Sequence, residues 1–508
     1  MFLINKFIKL KLKSRYDKIT RFKENPQSVQ AEVFFSLIQR AQSTFWGQKY
    51  NYSKIINNTF SSALKEFQSV VPISSYEKLA DLIGLVFNGQ ENVLWPGKTK
   101  WLAKSSGTTN SKSKLIPITK EALRNCHYQG GEDVFGSYLR QFPKSNLFRG
   151  KTLSVGGSFI EKRSLEELSC GDLSAILVKN LPWWARIFRS PHKKIALLED
   201  WEIKVEKMAE ETISKNIVAL AGVPSWVLVV LNKVLEKSGK GNILEVWPNL
   251  ELFIHGGVSF IPYIKQFQEI IPSDKMKYLE TYNASEGFFA FNDDLERDDM
   301  LLVLDSGVFY EFIPLEELAK EKPETKTLSE VEIGKTYALV ISTNGGLWRY
   351  LIGDTVKITS LQPFRIKVAG RTKHFINVFG EELMVSNADE ALKIVSEKTE
   401  TIVSEYTVAP IFMEGRSRGG HEWLIEFLKQ PKDLDSFIIE LDETLKSLNS
   451  DYEAKRYNDF ILARPKITIA REKLFYDWLK NKGKLGGQNK IPRLSNSREY
   501  LEELLKIN

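Results

Sequence analysis

The chain has 508 residues, 43% of them hydrophobic and 27% charged, a balance that excludes a wholly disordered, collagen-like or membrane-embedded protein. At about 150 residues per domain the length suggests roughly two or three domains. The net charge of +7 lies in residues 1–23, and the remainder is neutral, which argues against a nucleic-acid binder, whose folded domain carries a basic face.

Residues 1–23 hold eight Lys/Arg against Asp17 alone, with Leu3, Phe7 and Leu10 at helical spacing. Such a helix can lie on an anionic membrane or dock its apolar stripe on the body. Docking is expected, with no stable membrane association. Lys6, Lys9 and Lys11 interrupt the apolar run and no small-residue cleavage site follows, so a signal peptide is not expected. No run of about 18 apolar residues predicts a membrane span. Two cysteines, Cys126 and Cys170, encode no disulfide framework and suit a reducing, cytoplasmic setting.

Helices are predicted over Val29–Arg40, Ser62–Phe67 and Ser75–Asn88. Strands follow at Lys100–Lys104 and Leu115–Ile118, with Thr119 placed to cap a helix from Lys120. Strand and helix then alternate: Ile217–Ala221 with Ser225–Lys237, Leu250–Ile254 with Pro262–Ile271, then Tyr278–Tyr282. This alternation marks a parallel sheet covered by helices. Short strands over Met300–Ile358 indicate an antiparallel β subdomain. After Gly370 a smaller α/β unit is expected, with the interdomain joint starting near Ser360–Phe364. The fold class is therefore α/β: a large N-terminal domain with mixed sheets, residues 1–370, and a smaller mobile domain, residues 371–508.

Three segments carry candidate chemistry. Lys104-Ser-Ser-Gly-Thr-Thr-Asn-Ser-Lys-Ser-Lys114 offers small hydroxyl residues and backbone N–H groups that can converge on phosphate; it would serve equally as a polar surface hairpin. Tyr282-Asn-Ala-Ser-Glu-Gly287 follows a strand, where ligands bind in open α/β sheets. Glu286 could hold Mg2+ together with substrate phosphates, or the stretch is a turn capped by Ser285. Tyr350-Leu-Ile-Gly-Asp354 sets a carboxylate where it could accept from a ribose diol, or is a hairpin turn. The five histidines are scattered and give no metal spacing; no nucleophile elbow occurs.

In this order the three segments resemble the nucleotide motifs of the adenylate-forming superfamily, and more narrowly those of the auxin-responsive Gretchen Hagen family of acyl-acid amido synthetases. Leu244-Glu-Val-Trp-Pro-Asn249 with Gly256, Gly257 and Tyr263, then Gly370-Arg371-Thr372-Lys373 and Lys490-Ile-Pro-Arg493, extend the resemblance over nearly the whole chain. Asn110-Ser111 stands where the superfamily usually has a second glycine.

The resemblance implies two half-reactions. A carboxylate attacks the α-phosphate of ATP, giving acyl-AMP and pyrophosphate. An amine, that of an amino acid, then displaces AMP to form an amide. It implies that Ser105, Ser106, Gly107, Thr108 and Thr109, with Lys114, cradle phosphates. It gives Glu286 the Mg2+, with Ser285 nearby, sets Tyr282 and the backbone near Gly256 and Gly257 around adenine, and counts Asn283 and Ala284 among the nucleotide-binding residues. Asp354 and Arg371 would take the ribose, Lys490 would bridge the carboxylate and α-phosphate, and Val223, Val258 and Phe260 would wall the acyl pocket. An acyl-CoA ligase and an inactive nucleotide-binding protein remain alternatives.

Overall fold

The computed structural model describes residues 2–105, 114–160, 168–257, 260, 263–318, 320–372, 375–376, 378, 381, 383–412, 419–456, 462–483, 485 and 490–508. A long helix, Phe2–Glu24, opens the chain and packs on the body through Leu12, Ile19 and Phe22, all buried; the side chains of Leu3, Phe7 and Leu10, expected to form its docking stripe, lie outside the described ones. Its Arg15 is buried too, donating from Nη2 to Asp133 Oδ2 at 3.0 Å and to Asp305 Oδ1 at 2.6 Å. A cation taken out of water needs this pairing, so the docked face is specific and not merely greasy.

Helices Pro26–Ala41, Phe60–Val70 and Tyr76–Phe87 follow. Strands β1 (Trp101–Ser105) and β2 (Lys114–Ile118) form a hairpin. Thr119 caps the next helix, its hydroxyl accepting from the Ala122 amide. Beyond come β3 (Lys151–Ser154), β4 (Phe159–Ile160), β5 (Ser169–Asp172), β6 (Arg189–Ser190), β7 (Ile217–Gly222), β8 (Leu252–Gly256), β9 (Lys277–Ala284) and β10 (Gly287–Phe291). The series continues with β11 (Met300–Leu302), β12 (Val308–Pro314), β13 (Thr336–Thr343), β14 (Tyr350–Leu361) and β15 (Phe364–Arg371).

One eleven-stranded sheet dominates, in the order β12-β13-β14-β15-β11-β10-β9-β8-β7-β3-β6. Strands β6, β3, β7, β8 and β9 run parallel, and the rest pair antiparallel. The antiparallel strands expected over Met300–Ile358 thus continue the parallel sheet. The expected joint at Ser360–Phe364 is instead the tight turn between β14 and β15, where Leu361 pairs with Phe364; Pro363 ends a ladder there and does not link domains. A four-stranded sheet, β2-β1-β5-β4, lies apart.

The helix Pro224–Ser238 covers the parallel half. Pro224 occupies its first turn and Gly239, at φ +65°, ends it, the usual asymmetry of proline at the start and left-handed glycine at the end. Helices Gln129–Gln141 and Trp201–Ile213 were not predicted; their polar faces dilute the apolar period.

The C-terminal region has its own core of Tyr406, Trp423, Ile425, Phe437 and Leu441. It contains β16 (Phe375–Ile376), β17 (Leu383–Met384), β18 (Ile402–Ile411), β19 (Gly420–Lys429) and β20 (Lys466–Ala470), with helices Val385–Thr399, Leu434–Leu448 and Leu474–Asn481. Among the described residues no helix is long and apolar enough to cross a membrane.

Candidate active site

Two glycines define the floor. At Gly256, the last residue of β8, a Cβ would lie 2.3 Å from the Thr281 carbonyl oxygen of β9. Gly257 has φ +84°, a conformation that side chains resist. The sequence Gly-Gly therefore lets the chain turn sharply at the carboxyl end of the parallel strands, where a ligand is expected. A Cβ at Gly257 would stand 3.4 Å from Val223 Cγ2 and 4.0 Å from Lys490 Cε. Lys490, distant in sequence and exposed, thus comes close to the β8 terminus.

The second motif is the β9–β10 hairpin, with Ala284 opposite Gly287 and Ser285-Glu286 forming the turn. Ser285 is 2% exposed, and its hydroxyl meets no hydrogen-bond partner among the described residues. A buried hydroxyl in a turn that no described protein group satisfies fits a ligand contact. Asn283 Oδ1 lies 3.1 Å from Nδ1 of the buried His127. The oxygen can only accept, so Nδ1 carries the proton, and burial pushes the His127 pKa down to about 4. The ring is a neutral prop for the hairpin. Beside it, the Phe288 amide donates to Cys126 Sγ at 3.1 Å.

The third motif starts β14. Gly353 has φ +91° and its carbonyl accepts from the Thr372 amide at 2.8 Å. Asp354 stands opposite Arg371 of β15. The Tyr282 hydroxyl donates to Asp354 Oδ2 at 2.6 Å, joining the second motif to the third. Three strands separate β9 from β14 in the sheet order. At about 4.8 Å per strand a flat sheet would hold them too far apart, so the sheet curls to bring the two motifs together.

The first motif is only partly within view. Ser105 and Lys114 pair across β1 and β2. Ser106, Gly107, Thr108 and Thr109 lie outside the described residues, as does Val258. Lys114 Nζ is 5.7 Å from the centre of the Tyr76 ring, a cation–π position at the hairpin base. Phe260 is buried among Phe253, Phe267 and Tyr278 and stacks on His255 with centroids 4.2 Å apart. It is core first; Val223 is the described acyl-wall candidate that borders Gly257.

Sequence reasoning missed His127, whose partner is 156 residues away. It also gave no role to Tyr263 and Arg493. Arg493 is held by Glu405 Oε1 at 2.8 Å and lies over the Tyr406 ring at 4.4 Å. Among the described residues no cluster of three His, Cys, Asp or Glu could hold a metal; Glu286 suits instead a metal delivered with substrate phosphates.

The curled mixed sheet, the motif contacts and the small C-terminal domain define the fold of adenylate-forming ligases. A 2-hydroxyisobutyryl-CoA ligase in the postadenylation state superposes with a TM-score of 0.60 at 13% identity, covering 94% of this chain and 91% of that one. The chain belongs to the GH3 family: residues 15–276, 301–371 and 386–499 match its N-terminal, central and C-terminal domains. Indole-3-acetic acid-amido synthetase GH3.4 of Arabidopsis thaliana is 23% identical over 94% of this chain and 90% of its own length. The 4-substituted benzoates-glutamate ligase GH3.12 of the same plant is 22% identical over 94% and 95%. The solved AtGH3.15 acyl acid amido synthetase in complex with 2,4-DB superposes with a TM-score of 0.78 at 17% identity, covering 97% and 96%.

Proposed function

We infer that the chain is an acyl acid amido synthetase that adenylates a carboxylic acid with ATP and transfers the acyl group to an amino acid. Family membership over the three domains supports the reaction class. The observation that carries the chemistry is the approach of Lys490 to Gly257, beside a sheet face on which Tyr282 meets Asp354.

The first step brings two anions together, so fixed donors and cations must offset their repulsion. In this reading Ser105, Ser106, Gly107, Thr108 and Thr109, with Lys114, take the β and γ phosphates. Tyr282, Asn283, Ala284 and Gly257 flank adenine. Asp354 accepts from the ribose, with Arg371 opposite it. Glu286 would hold Mg2+, with Ser285 assisting nearby, and the ion would supply positive charge to the phosphates. Lys490 neutralises the carboxylate and α-phosphate as the acyl–oxygen–phosphorus bond forms and pyrophosphate leaves. The amine then attacks the acyl carbon, loses a proton and expels AMP. Val223 and Val258 border the acyl group, and Phe260 backs them. The proposed domains are residues 1–370 and 371–508, the second rotating between steps. Free thiols at Cys126 and Cys170 suit a cytoplasmic setting.

The test is a screen of carboxylic acids by ATP–pyrophosphate exchange, followed by amide detection with each amino acid. Exchange plus amide and AMP is expected. Thioester in place of amide would make the protein a CoA ligase; no exchange with any acid would contradict the reading.

A further inference from the structure

The C-terminal domain is gripped at two points by the segment that follows Gly257. The buried Tyr263 donates its hydroxyl to Glu405 Oε2 of β18 at 3.0 Å. Lys265, at the start of the helix Ile264–Ile270, donates from Nζ to the Ser396 and Thr401 carbonyls at 3.2 and 3.1 Å. It thereby caps the carboxyl end of helix Val385–Thr399, where a cation is favoured.

Glu405 passes this grip to Arg493. The guanidinium bonds Glu405 Oε1 at 2.8 Å, lies 3.8 Å from Asp389 and sits 3.5 Å from the Tyr263 hydroxyl. The Arg493 backbone is fixed as well: its carbonyl accepts from the Val408 amide at 2.8 Å, and the Pro492 carbonyl accepts from Thr407 Oγ1 at 2.5 Å. Lys490 is three residues away. In the large domain, Gly257 is six residues before Tyr263. Tyr263–Glu405–Arg493 therefore fastens in the protein interior the same two segments that bring Gly257 and Lys490 close to one another at the proposed reaction centre.

We propose that Tyr263, Glu405 and Arg493 form a catch that holds the C-terminal domain in the adenylating orientation, and that Tyr263 is a positioning residue acting through Lys490. The Tyr263 hydroxyl is the large domain's contribution to this triad, so its removal opens the catch and loosens the domain while Lys265 still holds the Ser396 and Thr401 carbonyls and Arg493 stays paired with Glu405. The inference rests on the proposed adenylation reaction. It also predicts a domain geometry that can be measured without any reaction.

Tyr263→Phe is compared with wild type in both half-reactions. A lost hydrogen bond to a charged acceptor sets the expected fall in acyl-adenylate formation at about ten- to a hundredfold. Amide formation from pre-formed acyl-adenylate should stay within about twofold, too little to count as a lost hydrogen bond. In a Lys490→Ala background the same substitution should cost nothing further, because its effect runs through the lysine; additive loss would overturn the proposal. Spin-label distances between the two domains should broaden in Tyr263→Phe, and an unchanged distribution would overturn the catch whatever the activity. Wild type that exchanges no pyrophosphate while its variant still broadens would contradict the adenylation reading and leave the catch standing.

Discussion

The Tyr282 hydroxyl donates to the Asp354 carboxylate at 2.6 Å, across three intervening strands of one sheet. Neither residue is notable alone. Together they fix the separation of the stacking and ribose-binding candidates, so nucleotide affinity should depend on the bond between them.

Tyr282→Phe keeps the ring and removes that bond. A hydrogen bond to a charged group contributes about 1.5–3 kcal/mol. The ATP KM is expected to rise roughly tenfold or more, with a smaller change in kcat. A variant with wild-type KM would mean that the pair only packs. Steady-state exchange kinetics at varied ATP make the check.

Glu286→Gln preserves size and removes the charge assigned to Mg2+. The hairpin turn should be unaltered, since Ala284 and Gly287 still close it. Adenylation should fall, and the Mg2+ concentration for half-maximal rate should rise severalfold. A magnesium titration that overlays wild type would remove Glu286 from metal binding.

His255 gives a pH signature. Burial pushes its pKa from 6.5 down to about 3, so between those values the unfolded chain binds a proton that the folded protein refuses. Folding stability from this group falls as pH drops below 6.5, at up to about 1.4 kcal/mol per pH unit. His255→Phe, which can keep the stack on Phe260, removes the penalty. Relative to wild type, the variant should gain stability steadily from pH 6.5 to 4.5 in urea melts. A pH-independent difference would show that the imidazole is protonated in the fold.

The elements that sequence made legible are those whose signals are local. The helix Pro224–Ser238 has a proline start and a glycine stop; β12 and β13 are buried, largely hydrophobic runs. The second and third motifs were recognisable as segments of small residues and single charges at strand ends, while most of the first lies outside the described residues. Long-range choices were not readable. The curl that joins Tyr282 to Asp354 depends on strand order, and His127 props Asn283 from a helix 156 positions upstream. Arg493 was visible as a neighbour of Lys490, but its burial between Glu405 and Asp389 depends on how the C-terminal strands pair. Pro363 misled, because the turn signal of a hairpin and that of a linker are alike.

The most direct measurement of the central claim separates the two half-reactions in Lys490→Ala. An ammonium about 4 Å from an anion contributes on the order of 4 kcal/mol at an effective dielectric near 20, equivalent to roughly a thousandfold in rate. The transfer step starts from a neutral acyl carbonyl and needs this charge less. Single-turnover formation of acyl-adenylate from acid and ATP should therefore nearly vanish. Amide formation from supplied acyl-adenylate and amino acid should persist. Undiminished adenylation by Lys490→Ala would contradict the account.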